Sequence, residues 1–380
     1  MTHGESLTDT ELGRALLARQ GLLERIDSPV TKVVARIGAL QAQHWPAIPI
    51  ALWSRVRGFS PAALYAALDN GELITGQLIR GTLHLVTATE YPAYAAMAAE
   101  SGADSWQRSK APPTEDMAAV RERLAAYAEQ PRSSADLSEF AETTVAVELE
   151  TNPRLISPEE LEIQRSHSWR AFFRWSRLRR VPESGNWGAA KPTAYAAAPR
   201  PAAWSEAILL ELVNRYLRAF GPASAADVAY WLGAKTPQVR EALADHGDAF
   251  AHFTDSHDRP LFDLPDAPRP PADTSAPARL LPSFDSALLA YSPEHRTRIL
   301  PEPFRDAVYQ RRNLRILPTF LLDGLVAGTW TMQAKRRIAT VELSPLRPLN
   351  PQQRGELEAE AESLSRAINP DVPEHRVLFA

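Results

Sequence analysis

The chain has 380 residues, 42 Lys+Arg against 46 Asp+Glu, a net charge of −4, 32 Pro, 17 Gly and no Cys. At roughly 100–200 residues per domain this length implies two to four folding units with a large core. The lack of Cys excludes disulfides, Cys-ligated zinc, iron–sulfur clusters and a thiol nucleophile, and it fits a cytoplasmic setting, as do the polar start Met1–Ser6 and the absence of a roughly 20-residue apolar run.

Taken in chain order, Glu11–Leu23 and Val30–Leu40 read as helices, and Ser60-Pro61 opens another that runs to Leu68. A turn at Asp69-Asn70-Gly71 then leads into an apolar ribbon with Leu78, Leu83, Leu85 and Val86. Helices closed by a turn and a ribbon make a winged-helix unit, assigned here to residues 1–95. Residues 96–200 read as a helical insert and a second such module. Ser134 caps Ala135–Phe140, Ser168–Leu178 is aromatic and basic, and Pro182–Lys191 is a wing-like loop before Tyr195. Residues 201–268 form a third module: Ala207–Phe220 is amphipathic and stops at Gly221-Pro222. Ser224 opens Ala225–Leu232, Thr236 caps Gln238–Ala244, and His252–Leu264 is a short ribbon.

The Pro- and Ala-rich stretch Asp263–Ala278 has a linker's composition, and 269–380 is a β-rich domain. Arg315–Leu322 and Leu325–Trp330 flank Asp323-Gly324, a strong hairpin signal, and Pro318 argues for an edge strand. Ile338–Leu343 is a further strand and Gln352–Ile368 a closing helix. The fold class is therefore α+β.

Charge is segregated along the chain. Five Lys leave 37 Arg, whose planar forks suit phosphate. Acids dominate Leu137–Glu162, and then Arg165, Arg170, Arg174, Arg177, Arg179 and Arg180 follow with no acid among them. Further basic clusters are Arg305, Arg311, Arg312 and Arg315, and Lys335, Arg336 and Arg337. Local stripes of this kind can hold duplex DNA despite a net negative charge. The competing readings are a coding bias toward Arg, solvated helix faces, and pairing of the 165–180 arginines with the Glu-rich stretch before them. DNA-contact candidates are Arg174, Arg177, Arg179, Arg180, Arg312, Arg315, Lys335 and Arg336. The Asp323-Gly324 ribbon beside the last two clusters is expected to probe a groove.

No phosphate-binding Gly-rich loop, dinucleotide fingerprint, nucleophile elbow or His-Glu-x-x-His is present, so neither metal nor nucleotide cofactor is expected. Gln41-Ala42-Gln43 lies between the Val30–Leu40 helix and Pro46. If that segment is extended, both amides point to one side; if helical, they diverge. His84 on an apolar ribbon reads as a structural histidine, Trp45 as core, and Asp285 as orienting a backbone group or an arginine.

Several segments in order resemble the AlkZ/YcaQ-like bacterial DNA glycosylases: Gln41-Ala42-Gln43, Leu52-Trp53-Ser54-Arg55, Arg80-Gly81-Thr82-Leu83-His84-Leu85-Val86, Leu281-Pro282-Ser283-Phe284-Asp285, and Leu317 through Gly324. The resemblance covers roughly residues 10–350 and implies tandem winged helices with a C-terminal β-barrel-like domain. It further implies a Gln-Φ-Gln catalytic signature at Gln41 and Gln43, with Ala42 as the apolar middle residue. That branch removes N7-alkylguanine lesions, some interstrand crosslinks included, and is associated with self-resistance to DNA-alkylating natural products. The expected enzyme is a monomeric, monofunctional glycosylase acting on alkylated double-stranded DNA. A non-enzymatic winged-helix regulator and a drug-sequestering protein are the alternatives. The first would read intact duplex without needing Gln41 or Gln43, and the second would bind free alkylator.

Overall fold

Residues 5–107, 115–188, 192–310 and 315–380 are described by a computed structural model, the side chains of 102–107, 115, 116, 171, 174 and 175 excepted. The fold is α+β and divides into two units, Met1–Ala67 with Leu209–Ala380, and Leu68–Ile208.

The first unit opens with β1 (Glu5–Leu7) and α1 (Asp9–Arg19). The helix starts at Thr8 because the Thr8 hydroxyl accepts from Glu11 N while the Glu11 carboxylate accepts from Thr8 N. In α2 (Val30–Ile37), Val30, Val33, Val34 and Ile37 recur at helical spacing and are all buried. The helix stops short of the expected Leu40 because Gly38 takes φ 80°, and a Cβ there would sit 3.2 Å from both Ala219 and the Phe220 ring. The chain continues as the extended pair β2 (Leu40–Gln41), bends, and enters the buried helix α3 (Ala47–Trp53). The next helix, α4 (Pro61–Asp69), spans the boundary of the units.

The second unit holds β3 (Leu73–Gln77), β4 (Leu83–Thr87), α5 (Tyr91–Gln107), α6 (Glu115–Tyr127), α7 (Ser134–Thr151), α8 (Pro158–Ser166), α9 (Arg170–Trp175), β5 (Leu178–Val181) and β6 (Ala194–Ala197). Ser133 rather than the expected Ser134 caps α7, its hydroxyl accepting from Asp136 N, and Ser157 caps α8. Strands β4, β3, β5 and β6 lie side by side, all antiparallel. Leu124, Leu137, Val145, Trp169, Phe172 and Phe173 form the core beneath them.

The first unit resumes with α10 (Glu206–Phe220), α11 (Ala225–Leu232), α12 (Thr236–Asp245) and the hairpin β7 (Ala251–Asp255) and β8 (Pro260–Asp263), three helices and a wing. Thr236 is the first residue of α12 rather than its cap, which is Lys235. The wing gains a third strand, since β1 pairs in parallel with β7, Glu5 opposite Phe253.

The C-terminal part contains β9 (Arg279–Leu281), α13 (Ser286–Leu289), α14 (Arg305–Val308), β10 (Tyr309–Gln310), β11 (Arg315–Ile316), β12 (Thr319–Leu322), β13 (Leu325–Lys335), β14 (Ile338–Pro345), α15 (Pro351–Ile368) and β15 (Glu374–Phe379). Its main sheet runs β15-β14-β13-β12-β9 and is open, not closed into a barrel. Ile50 and Trp53 of α3 and Leu357, Ala361 and Leu364 of α15 pack on Leu280, Phe320, Trp330 and Val341 of the sheet. The edge position expected from Pro318 is not found. Proline falls just outside β12, its carbonyl accepting from Trp330 N, and β12 itself is interior between β9 and β13. Among the described residues no helix is long and apolar enough to cross a membrane.

Candidate active site

Gln41 ends β2, and its Oε1 is buried with no hydrogen-bond partner among the described residues. A buried acceptor left unmade costs about 1–3 kcal/mol, so it requires an explanation beyond packing. Gln43 lies two residues on, where the chain bends, and is exposed. The extended geometry that would turn both amides to one side therefore covers Gln41 but not Gln43. Ala42 and Trp45 are buried, and Trp45 is a core residue as expected.

The backbone just before this segment is held by a side chain that follows α1. Gln20 Nε2 donates to Ile37 O and to Ala219 O, both at 2.9 Å. Gln20 Oε1 accepts from Arg55 Nε at 3.3 Å. Arg55 then grips Asp285 with both terminal nitrogens, at 2.9 and 2.7 Å, and both side chains are fully buried. Asp285 also caps α13 through Ala287 N. Its expected role of orienting an arginine is thus what the structure shows. A fully buried, bidentate pair holds its partners in one geometry, because breaking either half strands a charge.

His84 belongs to the second unit. It is buried, donates Nδ1–H to Thr82 O at 2.9 Å, and burial pushes its pKa down to about 3, so the ring is neutral.

The basic candidates divide into two groups. In the second unit, Arg177 donates to Ala198 O at 2.6 Å and approaches Glu122 at 3.4 Å. Arg179 donates to Ala197 O at 3.2 Å, and Arg180 to Thr193 O at 2.8 Å with its guanidinium 4.0 Å over the Tyr195 ring. These three direct donors at the edge of β6, and Arg165 pairs with Glu142 of the Glu-rich stretch. The side chain of Arg174 lies outside the described residues, as does Arg312.

In the first unit Arg315, Lys335 and Arg336 are exposed. The β13–β14 ladder runs from Gly328 opposite Pro345 to Lys335 opposite Ile338, leaving Arg336-Arg337 as its tip. The Asp323-Gly324 turn, expected to be the probing ribbon, is instead docked on α1. Arg14 Nη1 donates to Asp323 O at 2.9 Å, and a Cβ on Gly324 would come within 2.6 Å of Leu17. The free end of β13 is the opposite one.

Sequence reasoning missed Gln20, His44, Ser283 and Ser286. The last two lie in or beside the Leu281–Asp285 motif, which was the available signal.

Comparison with known proteins agrees with this architecture. The family model described as "DNA glycosylase AlkZ-like" matches residues 34–367. The interstrand DNA cross-link repair glycosylase of Streptomyces sahachiroi is 25% identical over 353 residues, covering 85% of this chain and 88% of its own length. The solved structure of Streptomyces sahachiroi DNA glycosylase AlkZ superposes with a TM-score of 0.74 at 20% identity, covering 99% of this chain and all of that one. With a family model spanning the Gln41 segment, the Arg55–Asp285 pair and the C-terminal sheet, the chain belongs to the AlkZ-like DNA glycosylase family.

Proposed function

We propose that this DNA glycosylase removes bulky N7-alkylguanine adducts from double-stranded DNA, unhooks interstrand crosslinks formed through the same atom, and serves self-resistance to a DNA-alkylating natural product. Gln41 and Gln43 carry the chemistry. The observation that supports the reading most is Gln41 Oε1, a buried acceptor with no hydrogen-bond partner among the described residues, which asks for a role beyond packing. N7-alkylation makes guanine cationic, so the C1′–N9 bond breaks with its electron pair moving to N9, and the base leaves neutral. Positive charge develops at C1′, where an amide oxygen dipole stabilises it. A water adds its oxygen to C1′ and sheds one proton to solvent, giving an abasic site. Neutral amides cannot strongly deprotonate water, so reaction is confined to bases that leave readily. No Lys lies in the motif to form a Schiff base, which supports monofunctional hydrolysis.

The test is base release from three duplexes: one bearing a bulky N7-alkylguanine, one bearing N7-methylguanine, and one undamaged. Release of the first two with intact abasic strands, and none from the third, is expected. Release only from uncharged lesions would sink the reading.

Phosphate binding is assigned to the exposed tip at Lys335, Arg336 and Arg337 with Arg315 nearby in sequence to β12. Each phosphate contact lowers log K by about 0.9 per unit of log salt. Replacing Lys335, Arg336 and Arg337 together with alanine is expected to flatten that slope by roughly two to three units, equally for damaged and intact duplex. Replacing Arg177, Arg179 and Arg180 should instead lower the melting temperature, because they tie β5 to β6. A triple tip variant with an unchanged slope removes this surface from the DNA contact.

A further inference from the structure

The turn that follows β9 touches the Gln41-Ala42-Gln43 segment on both sides. Before the motif, Ser286 Oγ donates to Ala39 O at 3.1 Å from a fully buried position. After it, Ser283 Oγ and His44 Nδ1 are 3.0 Å apart. Between the two serines Phe284 adopts φ 58°, a left-handed conformation that costs a bulky residue about 1–3 kcal/mol and persists only where surroundings impose it. The imposing groups flank it on both sides. Asp285, next in the chain, is locked by Arg55 and by Ala287 N. On the other side Leu280 is anchored by its pairing with Phe320, and its carbonyl accepts from Ser54 Oγ. Trp330 Nε1 donates to Leu281 O at 2.9 Å. The strained turn is thus clamped from both ends, and it presents two hydroxyls spaced across the motif.

We propose that Ser283 and Ser286 are positioning residues for the glycosylase reaction: they form a bracket, held by the buried Arg55–Asp285 pair, that fixes the directions of Gln41 and Gln43. The inference rests on the assignment of the two glutamines as the reacting-centre amides. The sequence separation explains the device. The motif lies between two helices, with only two residues of extended structure before the chain bends at Gln43. Catalysis by dipoles depends on a fixed direction more than catalysis by a net charge does, so small shifts of the chain that carries the amides matter. Ser286 fixes where the extended pair begins, and Ser283 fixes where the chain turns toward α3. Neither serine touches the reacting centre in this account. They act through the backbone at Ala39 and through the His44 ring.

The experiment compares Ser283→Ala, Ser286→Ala, the double variant and Ser283→Thr with wild type in single-turnover excision of an N7-methylguanine duplex. DNA affinity and melting temperature are measured on the same preparations. The double serine variant is expected to lose about 100-fold in excision rate, the scale of a 1 Å misplacement, with affinity within about twofold of wild type. Ser283→Thr, which keeps the hydroxyl at a half-buried position, should restore most of the rate lost by Ser283→Ala. Placed on Gln41→Ala,Gln43→Ala, the serine changes should slow the residual rate no further, because there is nothing left to aim.

A full rate in the double serine variant overturns the bracket, as does a further loss on the glutamine-free background, which is the mark of a general structural effect. Failure of the underlying assignment looks different: Gln41→Ala and Gln43→Ala would then themselves keep the wild-type rate. Should the double serine variant melt early, Ser283→Ala alone with its threonine counterpart decides, since loss without rescue also overturns the proposal.

Discussion

Gln41→Ala and Gln43→Ala are each expected to slow single-turnover excision by about 10²–10³-fold, the effect of removing one preorganised dipole from a reacting centre. DNA affinity should stay within about twofold. The argument turns on when the interaction forms. In the ground state the positive charge of an N7-alkylguanine sits on the base, and C1′ is an ordinary acetal-like carbon. On the proposed assignment, charge appears at C1′ beside the two amides only as the C1′–N9 bond lengthens, so their contribution would be to the transition state. A loss confined to the chemical step, with KM nearly constant, is the signature of such a group. Gln41 should be the more sensitive of the two to shape. Its oxygen is buried and has no partner among the described residues, so even Gln41→Asn, one methylene shorter, withdraws it from a closely surrounded position. Gln43 is exposed, so Gln43→Asn should retain more of the rate. Equal tolerance at the two positions would contradict the different environments described for them.

What was legible beforehand follows a physical rule. Some local signals were read correctly, although two helix caps were placed one residue late, at Ser134 and Thr236. Ser224 opens α11 through a reciprocal bond with Asp227, and Asp323-Gly324 turns β12 into β13. Features created by partners far along the chain were not visible. Strand β1 is only three residues and exists by pairing with β7, nearly 250 positions away. Strand β15 begins with Glu374, His375 and Arg376, no apolar alternation at all, and is held by its parallel register with β14. Pro318 misled because the rule concerns a proline within a strand, and this one sits in the gap between β11 and β12. Ends of helices slipped where tertiary contacts set them, as Gly38 against Phe220 does for α2.

The candidate site obeys the same rule more severely. The spacing of Gln41 and Gln43 carries little by itself, and only the ordered set of motifs gave it weight. Arg55 and Asp285 each stood in one of those motifs, yet nothing in either segment declares that they meet. Their bidentate pair joins positions 230 residues apart, and the reason each residue belongs in its motif appears only once the fold brings them together. The basic clusters were visible as charge but not as geometry. Arg177, Arg179 and Arg180 lie in or beside β5 and donate to carbonyls in or flanking β6, whereas Lys335 and Arg336 stand at a free tip.

The largest stability loss is expected from Asp263→Ala, about 3–5 kcal/mol of unfolding free energy. Asp263 is fully buried and accepts from Arg19 Nη1 and Nη2, both at 2.7 Å, from Arg269 Nη1 at 2.6 Å and from Leu264 N at 2.9 Å. Arg19 is equally buried, and it also donates to Leu217 O at the end of α10. One carboxylate therefore balances a guanidinium that links α1, α10 and β8. Removing it leaves Arg19 charged and buried without its carboxylate. Arg269 is partly exposed and can turn outward, so Arg19 carries the penalty. The cost should then depend on the stranded charge rather than on the lost contact. Asp263→Leu combined with Arg19→Met is expected to recover most of the loss, since apolar pairs of similar volume often replace buried ion pairs with little change. Denaturant midpoints for the two singles and the double measure this coupling. Excision by the folded fraction should be unchanged in all three, because neither residue touches the Gln41 segment. Strict additivity of the two single losses would mean that water already reaches Arg19, and that the pair contributes packing rather than charge balance.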